Sequence, residues 1–403
     1  MSTRHDRRAA AAREREAEAG ARQQQSHPRP RNPAVVASLA VGVVVVIAVG
    51  GWLIFGRPAP APPSAAPAPA KADVTPVALP TFAADAPQTT LDSTAPVILT
   101  PTPGAVSGPP PNVVTSGPWQ VLIAHSAVPE MSSPSGVAVD GDGNVYVVDF
   151  EGDFVQKFSP GGQPLARFGQ KGNAPGQFAG PSNLALDKQG NVYVADTNNQ
   201  RIQKLSPDGQ SLASWGQGGD GPGQFWLPSG VALDDQGRIF VADRGNHRIQ
   251  VLSPSGQPLA QWGTRGPAPG QFWAPSDVAV DPKGQVYVAD SSNQRIQVLS
   301  ATGLPVAQWG WEGLDPGQFE LPSAVAVDAS GNVYVSDTRN SRVQKLSTAG
   351  QPVAVWGTAV GSGTPRPAPQ PGLFNAPGGI AVDGQGAVYV ADTHNARIQK
   401  LAQ

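Results

Sequence analysis

The chain has 403 residues and no cysteine, which excludes disulfides, thiol catalysis and a Cys-rich zinc module. Only 14% of the residues are charged, whereas 47 glycines and 43 prolines predict many turns and an extended linker. Residues 117–403 carry 18 basic and 23 acidic side chains, so a basic face for nucleic acid is not predicted.

The first 32 residues form a polar, basic segment with eight arginines and four acidic residues. Its Ala, Arg and Glu content is compatible with a short helix, but no apolar stripe accompanies it. We therefore predict a solvated cytoplasmic tail, disordered or partly helical. A tail that touches anionic lipid is the alternative.

Residues 33–55 form an apolar run of 23 residues without a charge, PAVVASLAVGVVVVIAVGGWLIF. This length is sufficient for a helix across a hydrocarbon core of about 30 Å. The apolar region of a cleavable signal peptide is shorter, so we favour a signal anchor. Positive residues crowd the N-terminal side of the run. We therefore expect a single-pass protein of the cell membrane with its N-terminus in the cytoplasm and its C-terminal domain outside.

Residues 56–116 are rich in proline, together with alanine and then with threonine and serine. Little in this segment could form a hydrophobic core. Polyproline-like chains extend by about 3.1 Å per residue. We expect an extended linker that holds the following domain away from the membrane.

Residues 117–403 are predicted to form one domain built from six copies of a single pattern. The first four spacings between copies are 47 residues and the fifth is 55, and such a fixed period indicates a repeat architecture. Each copy contains four short strand patterns with period-two alternation, separated by turns. Four-stranded antiparallel blades repeated six times predict an all-β fold, a six-bladed β-propeller. The copies begin at Pro134, Pro181, Pro228, Pro275, Pro322 and Pro377.

The predicted ring is closed by the two ends of this domain. The last copy stops after its third strand, at Leu401. A strand-like segment, Trp119–Ala124, precedes the first copy. We predict that it pairs with Arg397–Leu401, because this supplies the missing fourth strand and removes an open sheet edge.

The repeated motif P-x-G-V-A-V-D-x-x-G-x-V-Y-V-A-D-x-x-N-x-R-I-Q-x-L resembles the NHL repeat family over about 285 residues. The resemblance implies a propeller but no single function, since one fold hosts many functions. The order of span, linker and propeller also resembles the stalked sensor domains of bacterial receptor kinases. The 32 residues before the span are too few for a kinase, and the lack of cysteine excludes the RING module of animal NHL proteins.

Five of the six copies carry an Asp, an Asn and an Arg around the hairpin between the second and third strands. We interpret them as structural clips, because an Arg can bind a carboxylate through two N–H groups and a ligand site rarely needs five equal copies. Asn is favoured in tight turns. The first copy departs from the motif at residues 149–154. The clip residues are Asp196, Asn199, Arg201, Asp243, Asn246, Arg248, Asp290, Asn293, Arg295, Asp337, Asn340, Arg342, Asp392, Asn395 and Arg397.

Positions that differ between copies are better candidates for ligand binding. Two tryptophans follow the Phe of the G-x-F segment in neighbouring copies, and basic residues lie near them in the predicted topology. Aromatic and Arg side chains are common binding anchors. The alternative is that the indoles pack against the neighbouring blade. The candidate ligand-binding residues are Trp226, Trp273, Arg244, His247, Arg265, Trp311 and Arg339.

Catalysis by a metal is the main alternative function. Some NHL-type lyases hold a metal through His residues from several blades, but this domain contains only His125, His247 and His394. The last two are predicted on opposite blades, about 30 Å apart, too far to share an ion. No catalytic residue, metal site or cofactor is predicted, and neither a nucleophile-elbow nor a zincin motif occurs.

The sequence as a whole predicts a membrane-anchored, extracytoplasmic propeller that binds or senses without catalysis. Its expected partner is a protein, a peptide or a cell-envelope polymer on one propeller face, and nucleic acid is not expected. A metal-dependent lyase or hydrolase and a self-assembling envelope scaffold are the alternatives.

Overall fold

The computed structural model describes residues 117–358 and 370–402. The interpretations of residues 1–32, 33–55 and 56–116 lie outside these described ranges. The helices within the described ranges are single 3₁₀ turns, and none could cross a membrane. These turns are His125–Ala127, Thr197–Asn199, Arg244–Asn246, Ser291–Asn293 and Thr393–Asn395.

The domain consists of six four-stranded antiparallel sheets, the blades. Blade 1 contains β2 (Pro134–Val139), β3 (Val145–Asp149), β4 (Phe154–Phe158) and β5 (Pro164–Phe168). Blade 2 contains β6 (Pro181–Leu186), β7 (Val192–Asp196), β8 (Arg201–Leu205) and β9 (Ser211–Trp215). Blade 3 contains β10 (Pro228–Leu233), β11 (Ile239–Asp243), β12 (Arg248–Leu252) and β13 (Pro258–Trp262).

The remaining three blades repeat this order. Blade 4 contains β14 (Asp277–Val280), β15 (Val286–Asp290), β16 (Arg295–Leu299) and β17 (Pro305–Trp309). Blade 5 contains β18 (Pro322–Val327), β19 (Val333–Asp337), β20 (Arg342–Leu346) and β21 (Pro352–Gly357). Blade 6 contains β22 (Pro377–Val382), β23 (Val388–Asp392), β24 (Arg397–Leu401) and, from the other end of the domain, β1 (Trp119–Ile123).

The predicted closure of the ring is confirmed. Strand β1 pairs antiparallel with β24, with Trp119 opposite Leu401 and Ile123 opposite Ile398. The Trp119 indole makes edge contacts with Trp356 at 5.8 Å between ring centroids. Blade 6 therefore joins both ends of the domain in one sheet, and no blade is left with three strands.

The hydrophobic core lies between the blades. Each of the six core clusters combines residues of two adjacent blades; one joins Tyr193 and Ile202 of blade 2 to Val231 and Leu252 of blade 3. The second strand of every blade is buried along its whole length, because it has a neighbouring blade on both sides. This explains the apolar runs of these strands, such as V-Y-V-A in β7, β15 and β23.

Two kinds of loop share one side of the ring, which we call the hairpin face. One kind is the hairpin between the second and third strands of a blade. The other is the connector, the segment that leads from the fourth strand of one blade to the first strand of the next. They meet through backbone hydrogen bonds, as in blade 3, where Gly245 N donates to Trp226 O at 2.8 Å.

Candidate functional site

The clip residues join each hairpin of blades 2 to 6 to the connector that precedes its blade. In blade 2 the Arg201 guanidinium donates from Nε to Asp196 at 2.7 Å, and its Nη atoms donate to the carbonyls of Asn173, Ala174 and Gln177 at 2.8 to 3.0 Å. The other four Asp–Arg pairs have Nε–Oδ2 distances of 2.6 to 2.8 Å. The Arg201 guanidinium thus bonds the carboxylate through its Nε–H group alone, rather than through two N–H groups. Its two Nη groups donate to backbone carbonyls of the connector.

A glutamine that the sequence analysis did not single out belongs to the same network. Gln203 donates to Asp196 at 3.0 Å and to Gln177 O at 2.7 Å, and it accepts from Gly176 N at 2.9 Å. The sequence could have identified this residue, because a glutamine stands two positions after the Arg position in every copy. These equivalent residues are Gln156, Gln203, Gln250, Gln297, Gln344 and Gln399.

Blade 1 lacks the Asp–Arg clip, as its sequence indicates. The buried Asp149 carboxylate accepts from Ser133 N at 2.9 Å and from Gly152 N at 2.7 Å. Phe154 stands at the Arg position, and the Arg167 guanidinium lies 3.7 Å from its ring centroid. The connector before blade 1, residues 124–133, lacks the P-G-x-F segment of the other connectors, and the side chain of Phe154 has no N–H group to donate to backbone carbonyls.

Trp226 lies on the hairpin face of blade 3 with 56% of its surface exposed. Its indole rests on Gly245, where an added Cβ would lie 2.0 Å from the Trp226 Cδ1 atom. Only a glycine leaves room for the ring in this place. The equivalent positions in blades 2, 4, 5 and 6 are Asn198, Ser292, Arg339 and His394.

Trp273 lies at the equivalent place before blade 4 and is 45% exposed. The Arg265 guanidinium lies 5.0 Å from its ring centroid, a cation–π contact. The residue after Trp273 is Ala274, and its backbone N donates a hydrogen bond to Nδ1 of His247 at 3.0 Å. Burial, and then the charge of Arg265, lowers the pKa of His247, which favours the neutral ring that can accept this bond.

The hairpin of residues 244–247 therefore contacts both tryptophan-bearing connectors. It supports Trp226 through Gly245, and it holds the backbone beside Trp273 through His247. Arg244 is exposed at the start of this hairpin. We call Trp226, Arg244, His247, Arg265 and Trp273 the tryptophan patch.

Two of the candidate residues lie apart from the tryptophan patch. Trp311 is partly buried in the connector before blade 5, where its carbonyl accepts from Phe319 N at 2.8 Å. Arg339 of the blade 5 hairpin pairs with Glu320 of the connector before that blade at 3.2 Å. Among the described residues, no hydrogen bond, ion pair or ring contact joins either of them to the patch.

A hydrogen bond that the sequence analysis did not predict joins two blades that are not neighbours in the ring. Asn183 of blade 2 donates to Asp277 of blade 4 at 2.8 Å, and Val325 N of blade 5 donates to the other carboxylate oxygen at 3.0 Å. Other copies have glycine or alanine here, and a Cβ at Gly230 would lie 2.6 Å from the Asp277 Cα. Burial raises the pKa of Asp277 to about 7.

The histidines do not converge. His125 bonds through Nδ1 to Met131 O at 3.0 Å, and His247 belongs to the tryptophan patch. In residues 117–358 and 370–402, no three His, Asp or Glu side chains are grouped as metal ligands would be. The exposed aromatic and cationic groups of the patch are thus the most distinctive chemistry of the hairpin face.

Comparison with known proteins identifies the repeat. The model of the NHL repeat matches residues 131–158, 178–205, 225–252, 272–299, 319–346 and 374–401. No curated protein matches this sequence.

Solved structures share the fold at low sequence identity. A streptogramin B lyase is 15% identical over 70% of this chain and 96% of its own, with a TM-score of 0.50. A catalytically inactive virginiamycin B lyase from Staphylococcus aureus with quinupristin is 15% identical over 72% of this chain and 100% of its own, with a TM-score of 0.51. A protein of unknown function from Bacteroides thetaiotaomicron is 20% identical over 67% of this chain and 69% of its own, with a TM-score of 0.52. Such identities indicate the fold alone. Because the six matched repeats coincide with the six blades, the chain belongs to the NHL-repeat family.

Proposed function

We propose that this NHL propeller is a non-catalytic binding or sensing module, anchored in the cell membrane and exposed outside the cytoplasm. It binds a protein, a peptide or a cell-envelope polymer through the tryptophan patch. The observation that carries the proposal is the exposure of two indoles on neighbouring blades, 56% and 45%, around one hairpin.

The tryptophans at the ends of the fourth strands are less exposed than Trp226 and Trp273. Trp309 and Trp356 are only 6% and 5% exposed, because each packs in the core between two blades. An indole left in water forgoes a large gain from burial. Exposed Trp flanked by Arg is the composition of binding hot spots, and a partner that covers Trp226 and Trp273 would gain that energy.

The anchor is supported by the uncharged run of residues 33–55 and by the basic residues before it. The test is carbonate extraction of membranes from cells that produce the full-length chain. Retention in the membrane fraction is expected, and release into the wash would overturn the anchor.

The binding role is tested by capturing partners from envelope extract with the full-length chain and a variant carrying Trp226→Ala and Trp273→Ala. The wild type is expected to retain a partner that the variant loses, since hot-spot truncations cost about 2 kcal/mol or more each. The matched control is Leu212→Ala with Leu259→Ala, two leucines of the outer strands that are 53% and 56% exposed. Equal capture by the wild type and the tryptophan variant would overturn the assignment of the patch.

A further inference from the structure

The arginines of the described residues divide into two groups. Eight of the ten lie within 4.0 Å of a carboxylate. Among the described residues, the two that lack a carboxylate partner are Arg244 and Arg265, and both belong to the tryptophan patch. The domain is acidic and its other described arginines are paired, so two guanidinium groups without a carboxylate beside two exposed indoles mark a place for an external anion.

We infer that the tryptophan patch recognises an acidic segment of a partner protein, with carboxylates on Arg244 and Arg265 and apolar side chains on the two indoles. The inference rests on the proposed binding function and specifies its ligand. A guanidinium offers five N–H donors in a planar fork that matches a carboxylate. Arg265 is already oriented by the ring of Trp273, so less side-chain entropy is lost when it binds.

The surroundings of the indoles favour a peptide over a polysaccharide. The residues that follow the two tryptophans are Leu227 and Ala274, which have no polar side-chain atoms. Their backbone N–H groups are already used by Gln200 at 2.7 Å and His247 at 3.0 Å. A sugar ring needs several converging hydrogen-bond partners for its hydroxyls, and this part of the patch offers apolar contact instead.

The extent of the positive charge argues against a nucleic acid. The connector before blade 5 carries Glu312 at the position of Arg265 and Glu320 at the position of Trp273. Carboxylates thus border the patch on the side of blade 5, in a domain with an excess of acidic residues. Nucleic-acid affinity depends on many phosphate contacts, whereas two arginines suit a few carboxylates.

The repeats themselves supply a substitution that reverses the charge and introduces a residue already found at the equivalent position of another copy. Arg265→Glu copies the residue that blade 5 has in the equivalent place, Glu312. Its matched control is Lys283→Glu, which changes the net charge equally at an exposed lysine in the hairpin between β14 and β15, away from the hairpin face.

The experiment measures the fluorescence anisotropy of fluorescein-labelled polyglutamate with the detergent-solubilised full-length chain. We expect saturable binding that weakens with salt, an affinity about tenfold lower for Arg265→Glu, and an unchanged affinity for Lys283→Glu. No binding by the wild type, or equal affinities of the two charge variants, would overturn the inference. Tighter binding of polygalacturonate or oligothymidylate than of polyglutamate would assign the patch to another macromolecule.

Failure of this inference is distinguishable from failure of the proposed function. A partner that the wild type and Arg265→Glu both capture, and that the double tryptophan variant loses, would leave the binding function intact and overturn the acidic ligand. A partner that the tryptophan variant still captures would overturn the proposed function, and with it the inference.

Discussion

Two arginines of one hairpin in blade 3 differ in almost every respect. Arg248 is buried, pairs with Asp243 at 2.8 Å, and donates to connector carbonyls. Arg244, four residues earlier, is exposed and has no carboxylate partner within the described residues. Arg248 recurs in five blades, whereas Arg244 stands where blades 2 and 6 have Thr197 and Thr393. Repeated positions hold the blades together, and unrepeated positions of the same loop are available for recognition.

The tryptophans repeat this division. Those at the ends of the fourth strands face the next blade, and Trp215 lies so close to Gly256 that an added Cβ would be 2.0 Å from its ring. Trp226 and Trp273 occur only in two copies and stay exposed. In a repeat protein, departure from the common motif therefore separates recognition from folding more sharply than residue type does.

The largest expected effect tests the buried side of this comparison. Arg342 is the most enclosed clip arginine, with its side chain 2% exposed and its Nε 2.6 Å from Asp337. Arg342→Ala would leave that buried carboxylate without its charged partner and would remove one donor from each of the carbonyls of Asp315 and Gln318. We expect the free energy of unfolding to fall by about 5 kcal/mol, as when one partner of a buried ion pair is removed. Denaturant unfolding followed by tryptophan fluorescence measures it.

The matched control for that loss is Arg244→Ala, the same substitution at an exposed and unpaired arginine. Its expected effect is below about 0.5 kcal/mol. Equal destabilisation by the two substitutions would contradict the division between clip and patch.

A second prediction concerns a buried carboxylate that has no arginine. Asp277 is 3% exposed, and burial raises its pKa from 3.8 to about 7. Between these pH values the unfolded chain releases the proton while the folded protein keeps it, so the free energy of unfolding falls as the pH rises. The change in pKa corresponds to about 4 kcal/mol. Asp277→Asn stays neutral, so its stability relative to the wild type should rise by about this amount between pH 4 and pH 7.

Urea unfolding of both proteins at several pH values measures this difference, and contributions from other groups cancel in it. Asp142→Asn, at an exposed aspartate, should show no such trend. A difference between Asp277→Asn and the wild type that is independent of pH would refute the altered titration.

The propeller and its closure could be predicted from the sequence because period and alternation are local signals. The 47-residue spacing fixes the blade, and the missing last strand identifies Trp119–Ile123 as its partner. The backbone carbonyls that accept the clip arginines leave no signal, since every residue has one. The bond from Asn183 to Asp277 was also not predictable, because it joins residues 94 positions apart across the axis.

The tryptophan patch could be predicted only in part. The spacing of the copies places Trp226 and Trp273 in equivalent loops, and the structure brings Arg244, His247 and Arg265 around them. Arg339 does not contact the patch and forms an ion pair with Glu320 instead. The choice of this partner depends on side-chain geometry. The tail, the span and the linker stay predictions from composition alone.

The smallest expected effect concerns a residue that belongs to the exposed patch and also supports the fold. His247 lies in the patch, yet its Nδ1 holds Ala274 N at 3.0 Å, the role that Gln200 and Gln294 have in blades 2 and 4. Because the pKa of His247 is lowered on folding, this bond stabilises the protein above about pH 6.5 and is lost as the pH falls through the folded-state pKa. His247→Gln keeps the acceptor at every pH. We expect equal unfolding free energies at pH 8 and about 1 kcal/mol in favour of the variant at pH 5, measured by denaturant titration. If the wild type and the variant respond identically to acid, His247 does not act as the pH-dependent support of the Trp273 connector.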